Sequence, residues 1–220
     1  METRTRNKGI YKMSKKLVIA PHIDDELLGT GGILNKDFHV VYCGFNESHI
    51  PDRPSIQHRL KEADAVSKFL GFSYECLSNK INHYQVQDLI ESFENIINKY
   101  KPSEIYIPYP SYNQDHNNVY NAALIALRPH DKNHFVNTVL VYEQPHVMLW
   151  DHTHDINSSF KPNYFISIDI ERKIEAYSLM ASQVRSFRSP DVLRSMAMIR
   201  GHQSNCSHAE AFQTLRVVKK

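Results

Sequence analysis

The stretch Leu17-Val18-Ile19-Ala20-Pro21-His22-Ile23-Asp24-Asp25-Glu26-Leu27-Leu28-Gly29-Thr30-Gly31-Gly32 decides how this chain reads. Leu17 to Ala20 form an apolar run that reads as a buried strand, and a histidine and three acids follow at once. Burying unpaired charge is costly, so these side chains are not core filling. They fall at the carboxyl end of a first strand, where open α/β sheets bind ligands. Asp24 and Asp25 also suit the start of a helix over 25–34, because carboxylates favour its positive end. The cluster suggests a metal site.

Downstream, strand-like and helix-like periodicities alternate. Strands are predicted over 38–45, 73–77, 104–108, 136–142 and 164–170. Helices are predicted over 55–70, ended by Gly71, and over 86–100, closed by Pro102. Further helices are expected over 119–127 and 191–199, with a long one over 171–187. This pattern predicts a three-layer, Rossmann-like α/β fold with a mostly parallel central sheet. One domain is expected over 16–220. Residues 1–15 read as a disordered basic extension, with Met13 an alternative true start.

With 220 residues, 41% of them hydrophobic, the chain can bury one sizeable core. A net charge of +2 and no basic cluster along one face argue against a nucleic-acid partner. No run of about 20 apolar residues is present to span a membrane, and the first residues lack a signal-peptide core. Cys43, Cys76 and Cys206 are far apart and odd in number, and the first two lie in strand-like runs as small core residues. A reduced, cytoplasmic location is the expectation.

His22 and Asp25, three apart around a strand-to-helix turn, can converge on one point. Two ligands do not fix a catalytic metal. Asp115-His116, after the fourth strand and at the same sheet edge, offers a third. Two histidines, one carboxylate and an open water position make a hydrolytic zinc site, although iron and cobalt accept the same ligands. Asp24, beside the metal, can take a proton from bound water. Glu26 reads as support for this shell.

The stretch also resembles the signature of the zinc-dependent de-N-acetylase family that includes the N-acetylglucosaminyl-phosphatidylinositol deacetylases and the LmbE-like enzymes. That signature is His-Pro-Asp-Asp-Glu after the first strand, with a His-x-Asp-His motif later. Arg59 to Glu62 matches the family's Arg-x-x-Glu, and Tyr142-Glu143 its Tyr-Glu. Arg200-Gly201 and Ala209-Glu210-Ala211-Phe212 resemble its carboxyl-terminal elements. The resemblance implies one zinc ion per chain on His22, Asp25 and His116, and Asp24 as general base. It implies that Arg59 faces the substrate and that Asp115 orients a neighbouring histidine or loop. The implied activity is removal of an acetyl group from an N-acetylated amino sugar or sugar conjugate.

Two positions depart from the motif. Ile23 replaces the usual proline, and Asn113 stands where His-x-Asp-His has its first histidine. Asparagine can donate to an oxyanion but cannot act as an acid at neutral pH, which counts Asn113 among the catalytic candidates and leaves the leaving amine to be protonated by Asp24 or solvent. Asn113 also motivates an alternative, a sugar-binding relative without turnover. A third reading, phosphoester hydrolysis, usually needs two metals, and one good ligand set is visible. Trp150 sits in a rim segment where it either stacks on a sugar face or packs the loop. Tyr109 and Tyr112 either reach a ligand or pack the turn. His152 and His154 read as solvated, and the late arginines as either a solvated or an anion-binding face.

Overall fold

The computed structural model describes residues 16–47, 49–130, 132–150 and 160–219. The expected extension over 1–15, and His152 and His154, lie outside them. Strands β1 (Lys16–Ala20), β2 (Phe38–Asn46), β3 (Ser73–Lys80), β4 (Glu104–Pro108) and β5 (Thr138–Tyr142) pair in parallel. With β6 (Tyr164–Ser167) and β7 (Ala209–Val217) they form one seven-stranded sheet, ordered β3-β2-β1-β4-β5-β7-β6. Only β7 runs against its neighbours. Around the sheet lie α1 (Asp25–Thr30), α2 (Ile56–Leu70), α3 (Val86–Tyr100), α4 (Gln114–Ala126), α5 (Pro145–Leu149), α6 (Ile170–Ser178) and α7 (Pro190–Gln203).

Successive strand residues face opposite sides of a sheet, so the apolar strands build a core on each face. Val18, Val40, Tyr42, Tyr106 and Leu140 pack with Leu27 of α1, Ala63 of α2, Ile174 of α6 and Leu193 of α7. Leu17, Ile19, Val41, Cys43, Ile105 and Val139 pack with Leu89 and Phe93 of α3 and Val119 of α4. These are the three layers expected. Cys43 is buried, Cys76 is half-buried against the first core, and the cysteines are free. The strand order reverses between β1 and β4, which opens a crevice beyond their carboxyl ends. Both motif clusters emerge there.

Several boundaries differ from expectation, each for a local reason. α1 stops at Thr30 and not at residue 34, and the backbone N–H of Gly32 goes instead to Glu210 Oε1 at 2.8 Å. α4 begins at Gln114, five residues before the predicted start, because the Asn113 side chain caps the Asp115 N–H at 2.9 Å. The sixth strand ends at Ser167, since Asp169 caps α6 through Glu171 and Arg172. The single helix expected over 171–187 is instead α6 followed by two short 3-10 turns, Ala181–Gln183 and Ser186–Arg188. There Ser182 gives its backbone N–H and hydroxyl to Glu62 at 2.9 and 2.6 Å, which competes with helix propagation. α7 runs to Gln203, past residue 199, from a Ser189 cap with Pro190 in its first turn. β7 and α5 were not expected.

A buried ion pair ties three of these elements together. Lys173 Nζ of α6 reaches Glu210 Oε1 of β7 at 2.6 Å and the Leu28 carbonyl of α1 at 3.0 Å. Removing one partner of such a pair leaves an uncompensated buried charge, at about 3–5 kcal/mol. Lys173→Met is expected to lose stability of that order in urea unfolding, and a loss below about 1 kcal/mol would show the pair to be dispensable.

Candidate metal centre and active site

The turn after β1 is held from several sides. Tyr84 donates its hydroxyl to the Pro21 carbonyl at 2.7 Å, and the Arg59 guanidinium donates to the Ile23 carbonyl. Glu26 accepts the Asp24 backbone N–H at 3.0 Å. Burial pushes Glu26 up to about 8, so it is largely a neutral, structural carboxyl at pH 7. Asp24 itself has φ of 134°, a backbone conformation that side chains other than glycine rarely adopt. Strain of this kind persists where surrounding structure over-determines it.

Donor atoms of His22, Asp25 and His116 converge within 4.8 Å of one another. His22 Nδ1 lies 3.2 Å from Asp25 Oδ2, and His116 Nε2 lies 3.4 Å from the same oxygen. Ligands on a tetrahedral zinc ion with bonds of about 2.0–2.1 Å are separated by about 3.4 Å. The donors therefore fit such an ion in type and spacing. His22 and Asp25 also have outer partners that fit. His22 Nε2 donates to Asp115 Oδ2 at 3.0 Å, which leaves Nδ1 its lone pair for a metal. Asp115 Oδ2 also accepts the Asn82 N–H at 2.7 Å. Asp25 accepts the His22 N–H at 2.8 Å and Gln144 Nε2 at 2.6 Å.

The two histidines are shifted in opposite directions. Burial disfavours charge on His22, but Asp115 and Asp25 outweigh it and raise the ring to about 10. Burial, partly opposed by Asp25 and reinforced by His22 and His146, takes His116 down to about 3, leaving it neutral. Burial would raise Asp25, yet His116 and His22 hold it below the usual carboxylate range. Asp24, Asp25 and Asp115 are all buried here, and Arg188 pairs with Asp24.

Asp24 lies beside these donors. Arg188 Nη1 donates to its Oδ2 at 2.6 Å. Burial raises the Asp24 pKa and Arg188 opposes the rise, with a net upward shift. A carboxylate of this kind can both take and return a proton. Above the turn opens a cavity of about 190 Å³, lined by His22, Asp24, Asp25 and His116 on its floor and by Tyr112, Asn113 and His146 on one side.

The remaining sequence candidates separate. Asn113 lines the cavity, but its side-chain oxygen is spent on the helix cap at Asp115. Arg59 forms part of the wall, and three of its five N–H groups go to Ile23, to Glu62 at 3.0 Å and to Ser182 at 3.3 Å. Tyr109 is buried against Phe160, whereas Tyr112 is 63% exposed at the rim. Trp150, at the end of α5, shares an open apolar hollow with Tyr112, His146, Leu149 and Phe187. Sequence reading missed Gln144, His146 and Arg188. His146 packs its ring 5.1 Å from that of His116, and burial lowers it to about 4. Gln144 and His146 follow Tyr142-Glu143 directly, so proximity to that motif was an available signal.

The crevice at the strand-order reversal thus gathers His22, Asp25 and His116, which could hold a metal ion, with Asp24 beside them. The chain matches the family model PIG-L, GlcNAc-PI de-N-acetylase, over residues 17–127, just over half its length, and belongs to that family. No curated protein matches the sequence. Among solved structures, the conserved protein TT1542 from Thermus thermophilus is 19% identical, with a TM-score of 0.76 over 94% of this chain and 97% of that one. The N,N'-diacetylchitobiose deacetylase of Pyrococcus horikoshii is 20% identical, with a TM-score of 0.69 over 92% and 84%. The 4-carboxy-2-hydroxymuconate hydratase GalB of Pseudomonas putida KT2440 is 21% identical, with a TM-score of 0.69 over 94% and 99%. These likenesses establish the fold.

Two outcomes follow from the geometry. Removing the outer partner of a metal-bound histidine typically weakens binding about 10–100-fold. Asp115→Asn is expected to do so in a chelator competition against zinc, and unchanged affinity would separate Asp115 from the metal. The strained Asp24 backbone should make Asp24→Gly more stable than Asp24→Ala by about 1 kcal/mol or more in thermal unfolding. Equal stabilities would remove the strain.

Proposed function

We propose that this protein is a metal-dependent amidohydrolase that removes an acetyl group from an N-acetylated amino sugar or sugar conjugate. The observation that carries the reading is Asp24, held by Arg188 beside the converged donors of His22, Asp25 and His116, in a chain of the de-N-acetylase family. His22, Asp25 and His116 would hold one divalent ion, zinc by the ligand types, which when bound supplies Lewis-acid polarisation of the amide and acidifies water.

The protein's own groups then divide the work. Asp24 takes the proton of the attacking water as its oxygen bonds to the acyl carbon. It returns that proton to the sugar nitrogen as the carbon–nitrogen bond breaks, giving acetate and a free amine. Arg188 fixes the orientation of Asp24. Asp115 and Gln144 hold the ring of His22 and the carboxylate of Asp25. Because Asp24 cycles the proton, the scheme needs no acid at position 113.

The sugar-binding reading without turnover is not favoured. It rested on Asn113, and that residue has a positive role here, capping the helix that carries Asp115 and His116. The hydratase among the structural neighbours shows that this fold also serves other water chemistry, so the family match, and not the fold, selects the amide.

Acetate release from N-acetylglucosamine conjugates by zinc-supplemented protein tests the reading. Asp24→Asn should lower kcat by about 10²–10⁴-fold with metal content unchanged. A metal-replete wild type inert towards a broad panel of N-acetylated amino sugars would overturn it.

A further inference from the structure

The structure sorts the late arginines by what they touch. Arg194 pairs with Glu171, and Arg200 is gripped by both oxygens of Glu143 at 2.5 and 2.6 Å. Arg188 is taken by Asp24 and by Gln183 Oε1 at 2.9 Å. The side chain of Arg185, between the two 3-10 turns, makes no hydrogen bond or ion pair with the described residues. Neither does Arg53, from the loop between β2 and α2. Both are half-buried, and both line the cavity above the metal donors.

This is an unfavourable arrangement for the protein alone. Burial lowers the Arg185 pKa, and the guanidiniums of Arg188 and Arg53 lower it further, with Asp24 and Glu47 offsetting part of the effect. Like charges gathered in a half-dry wall are repelled from one another. An anion entering between them reverses the sign, because guanidinium forks bind phosphate and carboxylate through paired, charge-assisted hydrogen bonds. Glu47 lines the same cavity, and its Oε2 is buried without a hydrogen-bond partner among the described residues. That oxygen suits a sugar hydroxyl, which can only donate to it.

We propose that Arg53 and Arg185 form a subsite for an anionic substituent, so that the amino sugar taken at this centre carries a phosphoryl or carboxylate group. The deacetylation itself rests on the function proposed above, whereas the subsite is a statement about binding and can be read separately. Two unpaired guanidiniums match the charge of a phosphoryl group best.

Calorimetry with glucosamine, glucosamine 1-phosphate, glucosamine 6-phosphate and the uronic acid of glucosamine tests it. At least one anionic ligand should bind about tenfold tighter than glucosamine or more, with an advantage that shrinks as salt rises. Arg53→Ala and Arg185→Ala should each remove most of that advantage, and Arg185→Lys should restore part, since charge returns without the fork. In the kinetic arm, the ratio of kcat/KM for the N-acetylated anionic sugar over N-acetylglucosamine should fall in the same variants. The arms separate phosphate from carboxylate. Anionic and neutral sugars binding alike, or an advantage that survives the double alanine variant, would overturn the subsite. If no N-acetyl sugar releases acetate, the deacetylase reading falls, and the calorimetry still decides the subsite.

Discussion

Carboxylates buried at the mouth of the β1–β4 crevice are the constraint around which this molecule is arranged. Asp24, Asp25, Glu26 and Asp115 are all nearly inaccessible to solvent, and an isolated buried carboxylate is too costly to keep ionised. Each has a different answer. Glu26 is pushed towards its neutral form and serves the backbone of the turn. Asp24 is met by Arg188, Asp25 by a backbone N–H and Gln144, and Asp115 by His22 and Asn82. Those partners come from widely separated parts of the chain, so much of the tertiary structure converges on neutralising one short turn.

The local part of this design was legible in the sequence because it is written in short spacings. An apolar run followed at once by His-x-Asp-Asp-Glu signals a strand end with chemistry on it. The alternation of strand and helix patterns then places the Asp115-His116 cluster at the same sheet edge. The less legible part is contributed by residues whose sequence neighbourhood carries no periodic signal. His146 lies in a segment that reads as a rim loop and Gln144 just before it, and their places depend on β5 lying next to β4 in the sheet. β7 was missed although Ala209, Ala211, Leu215 and Val217 alternate, because it joins the sheet from the far end of the chain, between β5 and β6. Sequence order gives no hint of that insertion.

The most consequential difference is the break after α6. Apolar spacing supports a helix over 171–187, yet Glu62 captures Ser182 and the chain folds into two tight turns. A continuous helix would have set Arg185 and Arg188, three apart, side by side on one face. The broken one lets Arg188 pair with Asp24 while Arg185 lines the cavity wall. Glu62, the last residue of the Arg-x-x-Glu element on α2, also receives Arg59. The same pair that clamps the turn after β1 therefore also anchors the segment that supplies Arg185 and Arg188.

A hydratase and a hydrolase on one fold share a requirement, which is to make water nucleophilic, and differ in the atom it attacks. In the function proposed for this chain, the first part would fall to the floor of the crevice, where His22, Asp24, Asp25 and His116 are fixed by strand ends and helix starts. The second part belongs to the walls, which are built from loops and turns: Arg53 before α2, Arg185 in the broken segment, Tyr112 and His146 at the rim. Floors set by sheet topology vary little without loss of the fold, whereas loops tolerate change. Substrate identity in this protein is therefore to be sought in residues that no family motif contains, and the unpaired guanidiniums are the part of that wall whose chemistry is least ambiguous.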